Sequence, residues 1–171
     1  YKIDCSVTPG IDWSTTGGMT AESGGSNYSS CPKQPFYLDK DRSLLEVPVS
    51  IRTIHYGKKP NLDVKSVLRY GKHRILGYKA WLRPYVGNLD EMLHLARQLK
   101  NEDTDYLMFM LHSSEMMPGG SPTFKTEEEI EGLYRDLRSL FEYIASFCDG
   151  RTLNEYLQMK SKEIIPIKEI F

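Results

Sequence analysis

Tyr1 to Val7 alternates as a half-buried strand does, with Ile3, Cys5 and Val7 on one face and Lys2, Asp4 and Ser6 on the other. Pro9 and Gly10 end it. From Gly10 to Pro35 the chain turns to Gly, Ser, Thr and Asn without an apolar period, which predicts a long loop of the functional or mobile kind. Leu44 to Ile54, "LLEVPVSIRTI", is β-rich around an internal proline, as an edge strand or a bulged strand is. Asp63 to Gly71 has the pattern of a short helix that starts near Asp63 and stops at Gly71. Gly77 to Tyr85 is expected to be extended, ending at Pro84.

Asn88 suits an N-cap, and the helix after it places Leu89, Met92, Leu93, Ala96 and Leu99 on one face. "DYLMFMLHSS", Asp105 to Ser114, is apolar at every position from Tyr106 to Leu111, the pattern of a central strand covered on both faces. Thr126 and Glu129 spell a capping box, with Glu127 and Glu128 in the first turn where they favour the positive end of the helix dipole. The helix they open carries Ile130, Leu133, Leu137, Leu140, Phe141, Ile144, Phe147 and Cys148 on a stripe, and Gly150 can end it. Thr152 and Glu155 repeat the box before a shorter helix. The apolar end, "EIIPIKEIF", suits an edge strand, a docking tail or the start of something beyond. Helix, strand and helix in succession predict an α/β layout of parallel strands with outer helices.

The 171 residues, 40% hydrophobic and 26% charged, suffice for one compact core. Lys and Arg total 22 against 23 Asp and Glu, a net charge of -1 with no long block of either sign. That argues against nucleic acid and against a polybasic membrane surface. No apolar run reaches the roughly 18 to 20 residues of a bilayer span, and nothing at the start resembles a signal peptide. Tyr1 falls directly inside a strand pattern, which reads as a cut within a longer protein or a terminus exposed by processing. Cys5, Cys31 and Cys148 are too few and too scattered for a cysteine zinc site, though one bridge is open to them.

His112 falls where a parallel strand hands over to its loop, the usual place for functional groups in α/β sheets and barrels. From position alone, chemistry and packing stand even. Glu115 could orient the imidazole, and Asp4 is the carboxylate of the first strand. Each is equally an ordinary turn or surface residue. His55, His73, His94 and His112 show no metal-ligand pairing, and His94 is expected on a helix surface. "PGGSPTF" lacks the lysine of a phosphate loop and suits a turn that lets backbone approach a ligand or a neighbouring loop. Trp13, Tyr28, Trp81 and Tyr85 lie in or beside loops, where aromatic rings serve sugar stacking as well as packing. "DKD", Asp39 to Asp41, has the spelling of a glycosyltransferase metal motif but sits in a polar loop.

In order, "YKIDCSV", "LLEVPVSI" and "FMLHSSEMMPGGSP" resemble the C-terminal half of polysaccharide deacetylases of the NodB-homology type. Those proteins carry a "YDSS" strand, a strand with Glu, Pro and Ser, and a strand ending in H-x-x-E. Cys5 stands where the first motif has a serine. The resemblance implies part of a distorted (β/α) barrel and a hydrolase that removes an acetyl group from an N-acetylated carbohydrate. It implies a divalent metal, zinc, that activates water, an aspartate base and a late-strand histidine that protonates the leaving amine. His112 matches that histidine, with Asp4 and Glu115 in support and Trp13 and Trp81 as sugar-facing aromatics. The family's aspartate pair and H-x-x-x-H ligands belong to an N-terminal half. Residues 1–171 therefore read as the second half, a partner to the first, holding no complete metal site. The alternative is a carbohydrate-binding or scaffold module of the same fold without turnover.

Overall fold

The computed structural model describes residues 1–16, 24–57, 63–102 and 104–160. The expected terminal apolar stretch, 163–171, and residues 17–23 of the expected loop lie outside them. The chain divides into two compact units, Tyr1–Ile51 with Gly150–Phe171, and Arg52–Asp149.

The first unit is built on a three-stranded sheet in the order β1-β3-β2. β1 (Ile3–Asp4) runs parallel to β3 (Leu45–Glu46), with Ile3 opposite Leu45 and Asp4 opposite Glu46. β2 (Phe36–Tyr37) pairs antiparallel with β3. Of the run expected as an edge or bulged strand, Leu45–Glu46 is central in this sheet, while Ile51–Ile54 is one of a pair of strands. Pro48 splits the expected run, so the residue that cannot donate falls between two strands and interrupts neither ladder. The long loop is tied at its base, where Trp13 N–H donates to Ser26 C=O at 3.1 Å and Tyr28 N–H to Ile11 C=O at 2.8 Å. Asp39 closes the β2–β3 turn by accepting from Ser43 N–H and Leu44 N–H at 2.8 and 2.9 Å, which makes "DKD" a turn element. α4 (Leu153–Lys160) begins at the predicted box, with Thr152 N–H donating to Glu155 Oε2 at 2.7 Å, and packs on β1.

In the second unit, β4 (Ile51–Ile54) pairs with β5 (Tyr78–Trp81), and α1 (Val64–Leu76) connects them. Asp63 caps α1 by accepting from Ser66 N–H. The helix runs past Gly71 and ends at Gly77, whose φ is +67°. A Cβ there would stand 2.7 Å from Thr53 Cγ2, whereas one at Gly71 would meet nothing within 4 Å. Glycine is required where the backbone turns left-handed against β4, and is merely tolerated inside the helix.

α2 (Leu89–Asn101) buries Met92, Leu95, Ala96 and Leu99. With Ile54, Ala80, Leu82 and Leu140 of α3 (Glu127–Ala145), they form the main core. Phe124, Ile130, Leu133 and Leu137 form a second cluster. Glu129 and Thr126 make the predicted capping box. Where α2 and α3 meet, Arg97 lies 5.5 Å over the Tyr143 ring and Lys100 lies 4.7 Å over Phe147. His94 is half-buried beside Tyr56, not on the open surface, because Tyr56 packs on that side of α2.

The expected central strand at 105–114 is not a strand over 105–112. It is extended chain with period-two packing: Leu107 and Phe109 lie against the main core, Phe109 and Leu111 against the second cluster. Only Tyr106 of this run is fully buried. Met110 N–H donates to Leu82 C=O at 3.0 Å, which ties it beyond the end of β5.

Candidate functional site

His112 ends the extended run, and a 3-10 turn, Ser113–Met116, follows at once. The turn brings Glu115 back beneath the histidine: its Oε2 accepts His112 N–H at 2.9 Å. The "PGG" turn secures it. Gly120 N–H donates to Met117 C=O at 3.1 Å, and a Cβ on Gly120 would stand 2.3 Å from Ser114 O. The close backbone approach expected of this turn is therefore to Ser114, the turn's own neighbour.

The second anchor comes from the chain beyond β5. Arg83 Nη2 donates to Glu115 Oε1 at 2.7 Å and lies 3.3 Å from His112 Nδ1. Asn88 holds the Arg83 backbone in place. It begins α2 as predicted, yet its side chain makes no helix cap; its amide donates to Arg83 C=O and its oxygen accepts Tyr85 N–H, both at 2.9 Å.

Glu115 is buried, its side chain 2% exposed, while the His112 side chain is 58% exposed. Burial pushes the Glu115 carboxyl up, but the Arg83 hydrogen bond, the His112 N–H and the Arg83 charge together hold it below the usual range. The group is thus a fixed anion 3.5 Å from His112 Nδ1. Nδ1 therefore has a partner in either state: bare, it accepts from Arg83 Nη2, and protonated, it faces the Glu115 carboxylate. An imidazole held from one edge presents the other for proton transfer.

A second carboxyl site lies in the first unit. Glu46 is fully buried on β3, opposite Asp4, and Val7 N–H donates to its Oε1 at 3.0 Å. Burial, opposed in part by backbone hydrogen bonds, and the adjoining Asp4 carboxyl raise it to about 7. Glu46 Oε2 is buried without a hydrogen-bond partner, which adds to the cost of a charge there. Asp4 accepts from Cys5 N–H at 2.9 Å and from the Ser6 hydroxyl at 2.8 Å. Burial, with Glu46 and Asp4 beside it, pushes the Cys5 thiol up to about 11, so it is no ready nucleophile.

Of the residues singled out from the sequence, the structure brings His112 and Glu115 together. Trp81 ends β5, two residues before Arg83, in the same unit. Asp4 and Trp13 belong to the other unit, where the Trp13 indole N–H donates to Thr8 Oγ1 at 2.7 Å. Arg83 and Glu46 were not singled out. Glu46 carried a signal, a lone carboxylate inside an apolar β run; Arg83 carried none, because its partner lies 32 residues away. All three cysteines are free thiols. Among the described residues, no three His, Cys, Asp or Glu side chains converge so as to hold a metal ion, and no helix is long and apolar enough to cross a membrane. Compared with protein-family models, curated proteins and solved structures, the chain matches none.

Proposed function

We propose that this chain is the C-terminal half of a polysaccharide-deacetylase-like hydrolase that removes an acetyl group from an N-acetylated carbohydrate, with His112 as proton donor. The observation that carries the reading is the held imidazole: Nδ1 faces Arg83 and Glu115 while the ring stays open to solvent. The order of the three motifs supports it. On this reading the chain is part of a distorted (β/α) barrel completed by an N-terminal half.

In amide hydrolysis a base, the aspartate that the resemblance places in the N-terminal half, takes a proton from water as its oxygen joins the acyl carbon; the C–N bond then breaks and the sugar nitrogen leaves as an amine. The amine needs a proton as it departs, and His112 supplies it from Nε2 as the imidazolium, returning to a neutral ring whose remaining Nδ1–H faces Glu115. Glu115 and Arg83 orient the ring. Asp4 supports the first unit beside Glu46, and of the two tryptophans Trp81, two residues before Arg83, offers a ring to the sugar within the unit that holds His112. The resemblance assigns the divalent metal, zinc, to the other half; among the described residues no three ligand side chains converge to hold it, and no step here passes through it.

The test is acetate release from an N-acetylated chitooligosaccharide. The protein with both halves should release acetate, a chelator should stop it, and His112→Asn should slow it by roughly 100-fold to 10,000-fold. Residues 1–171 alone should release none. Chelator-resistant release by residues 1–171, or an unimpaired His112→Asn enzyme, would overturn the assignment. Binding of the sugar without release by the two-half protein would assign the fold to the carbohydrate-binding class instead.

A further inference from the structure

α1 is mounted with its apolar side outward. Tyr70 lies against Gly57, where an added Cβ would come 2.7 Å from the ring. His73 stacks on Tyr78 with ring centroids 4.3 Å apart. Ser66, Tyr70 and His73 thus form the half-buried side, and no residue of the helix is fully buried. At about 100° per residue, Val64, Leu68, Gly71 and Ile75 fall within about 60° of arc on the opposite side. Val64, Leu68 and Ile75 are 75%, 68% and 76% exposed, in a helix whose neighbours supply a core elsewhere.

The spacing of these four positions is four, three and four residues, which is the seam of a heptad. Lys65 and Lys72 lie on one flank of the seam and Arg74 on the other, with Arg69 further round. The helix has no Asp or Glu, and among the described residues these four cations make no ion pair. Gly71 sits mid-seam, with open space where a Cβ would be, and leaves a notch for a side chain of a facing helix. A second copy of α1 would set cations against cations.

We propose that this face of α1 is a docking seam for an amphipathic helix of a partner whose apolar stripe is flanked by Asp or Glu. Apolar side chains fill the seam and the notch at Gly71, and the partner's carboxylates meet Lys65, Lys72 and Arg74. An anionic lipid surface would satisfy the cations but has no knob for the notch. The complementarity is that of a helix.

A synthetic three-heptad helix with Leu at the two seam positions and Glu at the two flanking positions is the probe, against the same helix with Lys at the flanks. Titrated into residues 1–171, the Glu helix should bind at least about tenfold more tightly than the Lys helix. It should also slow hydrogen exchange across residues 64–76. Leu68→Asp and Ile75→Asp should each weaken it by about tenfold or more, and Lys65→Glu with Lys72→Glu should reverse the preference between probes. These positions are exposed, so thermal melts of the variants serve as the folding control. Equal binding of both probes, indifference to Leu68→Asp in a folded variant, or attachment to phosphatidylserine–phosphatidylcholine vesicles with no peptide binding would overturn the proposal.

Discussion

Two carboxylates in this protein have opposite fates, and their neighbours decide which. Burial pushes both up; Arg83 and the His112 N–H bring Glu115 below the usual range, whereas Glu46, with the Asp4 carboxyl beside it, is raised to about 7. The consequence for Glu46 is measurable. Its folded value of about 7 lies above the ordinary 4.5, so between these limits the folded chain holds a proton that the unfolded chain has lost. Stability from this group is therefore intact below about pH 4.5 and falls as pH rises toward 7, by roughly 3 kcal/mol in all. Glu46→Gln cannot ionise and should remove most of that dependence. Urea unfolding followed by Trp13 fluorescence, in a Trp81→Phe background, reads the first unit at pH 5 and pH 8. The parent should lose midpoint at pH 8 and Glu46→Gln should hold it; equal losses would show that Glu46 titrates normally.

At the level of elements, two glycines in one helix make opposite predictions. Gly77→Ala places a Cβ 2.7 Å from Thr53 Cγ2 and 3.0 Å from Ile54 O at a positive φ, and should destabilise by about 1–2 kcal/mol. Gly71→Ala adds a methyl in open space within α1 and should stabilise by roughly 0.5–1 kcal/mol. Thermal melts distinguish them by sign. The same pair shows what a sequence discloses. Asp63, Thr126 and Thr152 mark helix starts legibly because each cap is settled within three residues. Gly71 misleads because the helix stops only where the backbone turns left-handed against β4 at Gly77, which no local pattern reports. The sheet was harder still. β2 is two residues long, and Pro48 looked like an edge marker until β1 and β2 were placed on either side of β3. The run from Tyr106 to Leu111 is apolar whether it pairs as a strand or only packs, so composition could not separate the two. His112 and Glu115 were legible as neighbours. Arg83, which fixes the charge between them, was not.

The molecule as a whole is asymmetric in how its units are encoded. The second is one continuous stretch, Arg52–Asp149, and it contains two apolar clusters together with His112, Glu115 and Arg83. The first needs two stretches, Tyr1–Ile51 and Gly150–Phe171. A continuous stretch of this size with its own core meets the usual conditions for folding alone. Residues 52–149 made separately should therefore unfold in one cooperative urea transition, with coincident circular dichroism and Trp81 fluorescence. The Arg83–Glu115 pair should survive in it, because both partners and the Asn88 bracket lie within the fragment. Glu115→Gln tests that directly. It leaves Arg83 facing an amide in place of the buried anion, and should lower the fragment's stability by about 2–3 kcal/mol. A fragment that unfolds without a sharp transition would mean that the core between α2 and α3 draws on the first unit. A cooperative fragment indifferent to Glu115→Gln would instead mean that the pair forms only in the whole chain, and that the first unit helps to position His112.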